Sequence, residues 1–447
     1  MSRSISRRRF VQTLAAVSAA APLSAGGWLR AAGANSRLRV ASIGTGGKGW
    51  SDLTQVATSP HVEIVALCDI DQSQPHLGRA AEKFPSAKRY QDWRRLLDEA
   101  QNIDAVIVST PDHMHAPIVM RVLQLGKHVY CQKPLTHTVF EARQLTEAAR
   151  RAGVVTQMGN QMQSAEFYRT AVRLVHDGAI GKVKEVHSWQ SGAMKWLPPD
   201  GRPAGSDPIP STLNWNDWLG VAPERPYKDK IYHPFNWRGW QDFSNGQLGD
   251  FGCHILDPIF KAVGLKAPRE IRAESPAFGH DAWYKRSTVQ YLFPGNERTA
   301  EPMLHVTWYD GEGHLPPREV LDVPESLKLP GSGSLVKGEK GSLLIPHGNA
   351  MPRLLPADRF ADYKLPEVGK VNHYTSWADA CRGEGKTTSH FDYAGLLTET
   401  VLLGTVAIRT PGETLEWDSA ALKITNSTAA NALLTKSYRP GWEVKWS

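Results

Sequence analysis

Short apolar runs alternate with helix-period segments along the first third of the chain. Residues 37–43, Arg-Leu-Arg-Val-Ala-Ser-Ile, predict a strand, and Trp50, Leu53 and Val56 behind it share one face of a helix. Further strands are predicted at 62–68, 105–108, 128–131 and 154–157, with helical periodicity at 93–100, 117–124 and 139–151 between them. This β-α-β alternation predicts a doubly wound parallel sheet whose ligand crevice lies at the carboxyl ends of the strands. Later, residues 287–293 and 303–309 read as strands, and 333–345 as a hairpin around a Gly-Glu-Lys-Gly turn. Residues 373–382 and 395–409 read as helices that pack back on the first domain or the sheet, and the tail 420–446 as an extension over the surface.

The first strand opens directly into Gly44-Thr45-Gly46-Gly47-Lys48-Gly49 and then into the helix. A strand, a G-x-G-x-x-G turn and a helix form the context in which glycines let a pyrophosphate approach the backbone amides at a helix N-terminus. Asp69 ends the second strand, 20 residues past Gly49. An acid there accepts hydrogen bonds from the adenosine ribose hydroxyls and repels a 2′-phosphate, so NAD is expected rather than NADP. The other strand ends carry Ser109-Thr110-Pro111-Asp112-His113-Met114-His115, then Gln132-Lys133-Pro134, then Gly159-Asn160-Gln161. Lys133 would lie beside the nicotinamide if that crevice is used, and otherwise is a surface lysine before a proline turn.

Composition is that of an ordinary globular protein, 41% hydrophobic and 22% charged over 447 residues, long enough for two or three domains. Five of the seven net positive charges belong to Arg3, Arg7, Arg8, Arg9 and Arg30, and residues 1–34 hold no acid, leaving +2 for the rest. A nearly neutral body lacks the basic face of a nucleic-acid binder. Ser6-Arg7-Arg8-Arg9-Phe10-Val11-Gln12, a weakly apolar stretch and Ala31-Ala32-Gly33-Ala34 read as a cleavable twin-arginine export signal, against an Arg-rich disordered terminus as the alternative. Export to the periplasm as a folded protein fits a cofactor inserted beforehand. No later stretch reaches about 18 uninterrupted apolar residues, so no stable membrane insertion is expected after cleavage. Cys68, Cys131, Cys253 and Cys381 are widely spaced in apolar contexts and are expected as core packing. His113 and His115 have ligand-like spacing but no third partner nearby, so no metal site is expected.

These residues, with Gly246-Gln247-Leu248-Gly249-Asp250-Phe251-Gly252-Cys253-His254-Ile255-Leu256-Asp257, give a chain that resembles the Gfo/Idh/MocA family from Leu38 onward. That family contains glucose–fructose oxidoreductase and inositol dehydrogenase. The resemblance implies an α/β protein: an N-terminal Rossmann domain, then an α/β domain whose open, largely antiparallel sheet carries the substrate site and often an oligomer interface. The boundaries expected are a signal at 1–34, the NAD-binding domain at 35–157, the substrate domain at 158–410 and an extension at 411–447. The resemblance implies Lys133, Asp250 and His254 as the catalytic set. It also places Ser109, Thr110, Pro111, His115 and Gln132, with the glycine turn from Gly44 through Thr45, Gly46, Gly47 and Lys48 to Gly49, around the cofactor. One departure stands out: the family's usual E-K-P reads Gln132-Lys133-Pro134, which replaces a carboxylate by a neutral amide.

Four-residue spacing puts Asp250 and His254 on one helix face, where carboxylate and imidazole can meet one substrate hydroxyl. The alternative is a helix N-cap and a core histidine. Residues 189–243 are rich in Trp, Pro and Gly, and indoles there either stack on sugar C–H faces or pin a long loop by packing. Gln161 and Trp237-Arg238-Gly239-Trp240 are the expected substrate contacts, the latter because it precedes Asp250 closely. Three readings follow: an NAD-dependent sugar or polyol oxidoreductase, a redox-neutral NAD-dependent glycoside hydrolase or lyase, and a non-catalytic NAD-binding protein. The partners expected are a small carbohydrate and further copies of the same chain.

Overall fold

The computed structural model describes residues 37–99, 101–198 and 201–446. The expected export signal lies outside the described residues. Six strands, β1 (Leu38–Ile43), β2 (Val62–Cys68), β3 (Lys88–Tyr90), β4 (Ala105–Val108), β5 (His128–Cys131) and β6 (Thr156–Met158), form a parallel sheet in the order β3-β2-β1-β4-β5-β6. Every residue of β4 is buried, as a strand covered on both faces by helices requires. The helix Val139–Ala152 starts at a capping box, in which the Thr138 hydroxyl accepts from the Glu141 amide and Glu141 accepts from the Thr138 amide. It ends at Gly153, whose φ of 62° is the left-handed conformation of a helix stop.

The helix after β4 begins at Asp112, five residues before the expected start, and runs to Gln124 with Pro117 inside it. Proline cannot donate to the carbonyl four residues back. That carbonyl, His113 O, instead lies 3.3 Å from the Lys436 ammonium, which the C-terminal tail brings across the first domain.

A second sheet of nine strands follows, beginning with β7 (Val183–Gln190). The chain then adds β8 (Glu270–Glu274), β9 (Arg286–Pro294), β10 (Met303–Gly311), β11 (Ser332–Gly338), β12 (Ser342–Pro346) and β13 (Arg353–Leu355). Only β7 and β10 pair in parallel; the other pairings are antiparallel, so the sheet is mixed and largely antiparallel. The expected extension at 411–447 adds two strands, the second of them within the tail 420–446 that was expected to run over the surface. Thr414–Asp418 and Lys423–Ile424 complete the sheet edge as β14 and β15, because Leu415 and Trp417 alternate inward beside β8.

Helix Phe391–Arg409 is long and apolar enough to cross a membrane, yet it is buried among the protein's own elements. Helix His373–Cys381 sends Trp377 and Ala378 into the first domain's core beside Val40 and Leu53. The four cysteines are all unpaired, and Cys68, Cys131 and Cys253 are buried.

Candidate active site

A cavity of about 770 Å³ follows the carboxyl ends of β1, β2, β4 and β5 and continues under the helix Gly246–Ile255. At one end it is walled by Gly44, Gly46, Gly47, Lys48 and Asp69; in the middle by Ser109, Thr110, Pro111 and Gln132. At the other end stand Lys133, Gln161, Asp250 and His254, with Trp237 and Arg238 beside them.

The glycine turn fits a dinucleotide. Gly44 has φ +81°, and a Cβ there would lie 2.6 Å from Ser109 O; a Cβ on Gly49 would lie 2.0 Å from Gly44 O. No side chain can be added at either position without moving backbone, which keeps strand and helix close. The helix starts at Gly47, so its free amides and positive end face the cavity. Asp69 is buried and fixes the turn: its Oδ2 accepts from the Thr45 amide at 2.7 Å, the Thr45 hydroxyl at 3.2 Å and the Gly46 amide at 3.2 Å. It still lines the cavity where a ribose would lie. Lys48 is anchored to Asp52 at 2.6 Å and to the Tyr374 hydroxyl at 3.0 Å.

At the other end, Lys133 Nζ donates to both the side-chain Oδ1 and the main-chain carbonyl of Asp250, each at 2.5 Å. Arg238 stacks between Phe235 and Trp237, 4.3 Å from each ring, with its Nε 3.9 Å from Asp250 Oδ1. Burial alone would raise the Asp250 carboxyl, but the charges of Lys133 and Arg238 hold it below the ordinary carboxylate value. Asp250 is therefore a carboxylate between two cations. His254, one turn on, is pushed well below the usual imidazole value, first by burial and then by the positive charge of Lys133. It is a neutral imidazole and a proton acceptor at neutral pH.

Four expected site residues are not on the cavity wall. Thr45 is buried on Asp69, and Gly49 is covered by Gly44 O. His115 is buried with its ring nitrogens 2.8 Å from the carbonyls of Pro134 and Thr110, so it braces the two loops that carry Lys133 and Thr110 instead of facing a ligand. Trp240 is 1% exposed and donates to Ile231 O; it packs on Tyr232 within an aromatic cluster that also takes Trp215, Trp218 and Phe243. Most of the tryptophan-rich segment is thus packing, and Trp237 is the indole of the expected pair that faces the cavity.

Two residues that sequence reasoning missed stand beside the expected ones. Asp112, at the start of its helix, accepts from the Asn245 amide at 3.2 Å, and burial pushes its carboxyl up to about 7. A carboxylate immediately after Thr110-Pro111 at a strand's carboxyl end was the available signal. His347 follows β12, with its Nδ1 2.8 Å from the Tyr168 hydroxyl and its ring stacked 5.7 Å from that of His254. Nothing in the local sequence Pro346-His347-Gly348 marks it.

Comparison with known proteins agrees with this layout. Residues 38–160 match the Gfo/Idh/MocA oxidoreductase family's NAD-binding Rossmann fold, and residues 171–296 match its C-terminal α/β domain. The chain is 30% identical over 196 residues to levoglucosan dehydrogenase of Pseudarthrobacter phenanthrenivorans, a stretch covering 44% of this chain and 42% of that protein. It is 28% identical over 166 residues to an alpha-N-acetylgalactosaminidase of Shewanella oneidensis, 36% of each. The chain thus spans well under half the length of these curated relatives. The solved WlbA dehydrogenase of Bordetella pertussis, in complex with NADH and UDP-GlcNAcA, shares the fold with a TM-score of 0.59 at 17% identity, over 86% of this chain and 99% of that one. With residues 38–160 and 171–296 matched, the chain belongs to the NAD-binding Gfo/Idh/MocA oxidoreductase family.

Proposed function

We propose that this protein is an NAD-dependent oxidoreductase that acts on a secondary hydroxyl of a sugar, polyol or glycoside while keeping its cofactor bound. The observation that carries this reading is the shared wall: a neutral His254, Lys133 and Asp250 line the same cavity as the glycine turn. Bound NAD supplies the hydride acceptor for the carbinol carbon. His254 takes the hydroxyl proton, and the Lys133 ammonium polarises that oxygen and stabilises the negative charge growing on it. Asp250 holds Lys133 in place from both its carboxylate and its carbonyl. Trp237 offers an apolar face to sugar C–H groups, and Arg238 and Gln161 offer donors to its hydroxyls. The N-terminal twin-arginine pattern supports export, where a retained cofactor suits a compartment poor in free nucleotide.

The names of several relatives favour a second reading. Family 109 glycosyl hydrolases align with the chain at 28–31% identity. In that reading the same acid–base groups serve an elimination of the leaving group with no net change of redox state. Incubation of the NAD-loaded protein with sugars, polyols and glycosides separates the two: net NADH absorbance supports the first, and sugar release without it supports the second. No change with any compound removes both.

A further inference from the structure

Asp71, His76 and His233 converge at the Asp69 end of the cavity, from two separate parts of the chain. Asp71 and His76 follow β2, whereas His233 comes from the loop that leads to Trp237. Asp71 Oδ2 lies 2.9 Å from His233 Nε2 and 3.7 Å from His76 Nε2, and one potential ligand atom from each of the three residues falls within 4.8 Å of the others. The side chains are 10%, 14% and 11% exposed for Asp71, His76 and His233.

A hydrogen bond from His233 to Asp71 accounts for one of these contacts. It does not account for His76, whose Nε2 stands beyond hydrogen-bond range of the same oxygen and whose ring has no hydrogen-bond partner among the described residues. A triangle with these edges encloses a point within a few tenths of an ångström of metal-bond distance from all three atoms. The outer shell is built as well. Asp71 Oδ1 accepts from the Ser73 amide at 2.8 Å, which orients the carboxylate and leaves Oδ2 to the imidazoles.

We propose that Asp71, His76 and His233 form a site for a borderline divalent transition-metal ion of the zinc or cobalt type. Two imidazoles and one carboxylate suit such an ion and leave a coordination position open to the cavity. Binding ties the segment after β2 to the loop that carries Trp237 and Arg238.

The test is a titration of the full-length protein, dialysed against chelator, with Co²⁺ followed by its visible absorption and with Zn²⁺ in competition. The expected result is one equivalent bound with the visible bands of four- or five-coordinate cobalt, displaced by one equivalent of Zn²⁺. His76→Gln and His233→Gln should each weaken binding by at least about 100-fold, with circular dichroism unchanged. No stoichiometric uptake by the wild-type protein overturns the site, and so does equal binding by folded variants, which would place the ion on other histidines. Neither readout depends on turnover, so the result is independent of the proposed reaction.

Discussion

Gln132 donates its side-chain amide to Asp52 Oδ2 at 2.7 Å, and both residues are buried. Asp52 also takes Ser109 Oγ at 2.8 Å on that oxygen and Lys48 at 2.6 Å on the other. The amide in Gln132-Lys133-Pro134 is therefore the complement of a carboxylate one layer behind the cofactor turn. A glutamate at 132 would set two carboxylates against each other away from water.

Gln132→Glu should accordingly cost about 1–3 kcal/mol of stability in the cofactor-free protein near neutral pH. The loss should grow as pH rises and both carboxyls ionise. Adding Asp52→Asn should restore most of it. Denaturant unfolding of the two single variants and the double variant checks this; additive effects would mean that the pair does not interact.

Removing Lys133 or His254 should stop the chemistry without emptying the site. Lys133→Ala and His254→Ala are each expected to lower turnover about 10²–10⁴-fold with bound NAD retained. Because the folded pKa of His254 is depressed, the wild-type enzyme should hold its activity below the ordinary histidine value of 6.5 and lose it only as that lower pKa is crossed. Near-normal turnover in either variant would take that residue out of the mechanism.

Asp112 gives a pH dependence of stability with a definite sign. Burial raises it to about 7, Asp250's charge adding and Lys133's opposing, against 3.8 in the unfolded chain. Between those values the folded state holds a proton that the unfolded state has released, so stability falls as pH rises and the full penalty is present above about 7. Asp112→Asn keeps an acceptor for the Asn245 amide and removes the titration. Its unfolding free energy should be flatter over this range and higher by about 1–3 kcal/mol above it; an unchanged pH profile would show that Asp112 ionises normally.

Nucleotide extracted from the purified protein should be NAD, not NADP, because a 2′-phosphate would meet the Asp69 carboxylate. Asp69→Ala should both narrow that preference and weaken NAD retention at least about tenfold, since it removes the ribose acceptor and frees the turn amides of Thr45 and Gly46. Unaltered retention and preference would place the ribose elsewhere.

Five of the six parallel strands and the cofactor turn were legible because their signals are local: apolar runs, glycines that no Cβ could replace, and an acid at the end of β2; the edge strand β3, Lys88-Arg89-Tyr90, has no apolar run and was missed. The second sheet was only half legible. β9 and β10 alternate strongly, but β7 carries Lys184, Glu185 and His187 among its apolar residues, and β14 is short, so pairing partners rather than their own pattern define them. Trp240 and His115 show the limit within the site. Each has the right residue type at the right place in the chain, yet which way an indole or imidazole turns depends on carbonyls such as Ile231 O and Pro134 O. Asp112 and His347 reach the cavity from segments far apart in sequence, a proximity that only the packed fold creates.

The central claim is that NAD, Lys133 and His254 act together on a sugar hydroxyl. Its most direct test is a single-turnover experiment with NAD-loaded protein and no added nucleotide, scanning a panel of sugars, polyols and glycosides for NADH absorbance. At least one sugar, polyol or glycoside should produce NADH up to one equivalent per bound NAD, and Lys133→Ala and His254→Ala, equally loaded, should fail to do so on the same timescale. Loaded wild-type protein that forms no NADH with any of them, or variants that form it as fast, would contradict it.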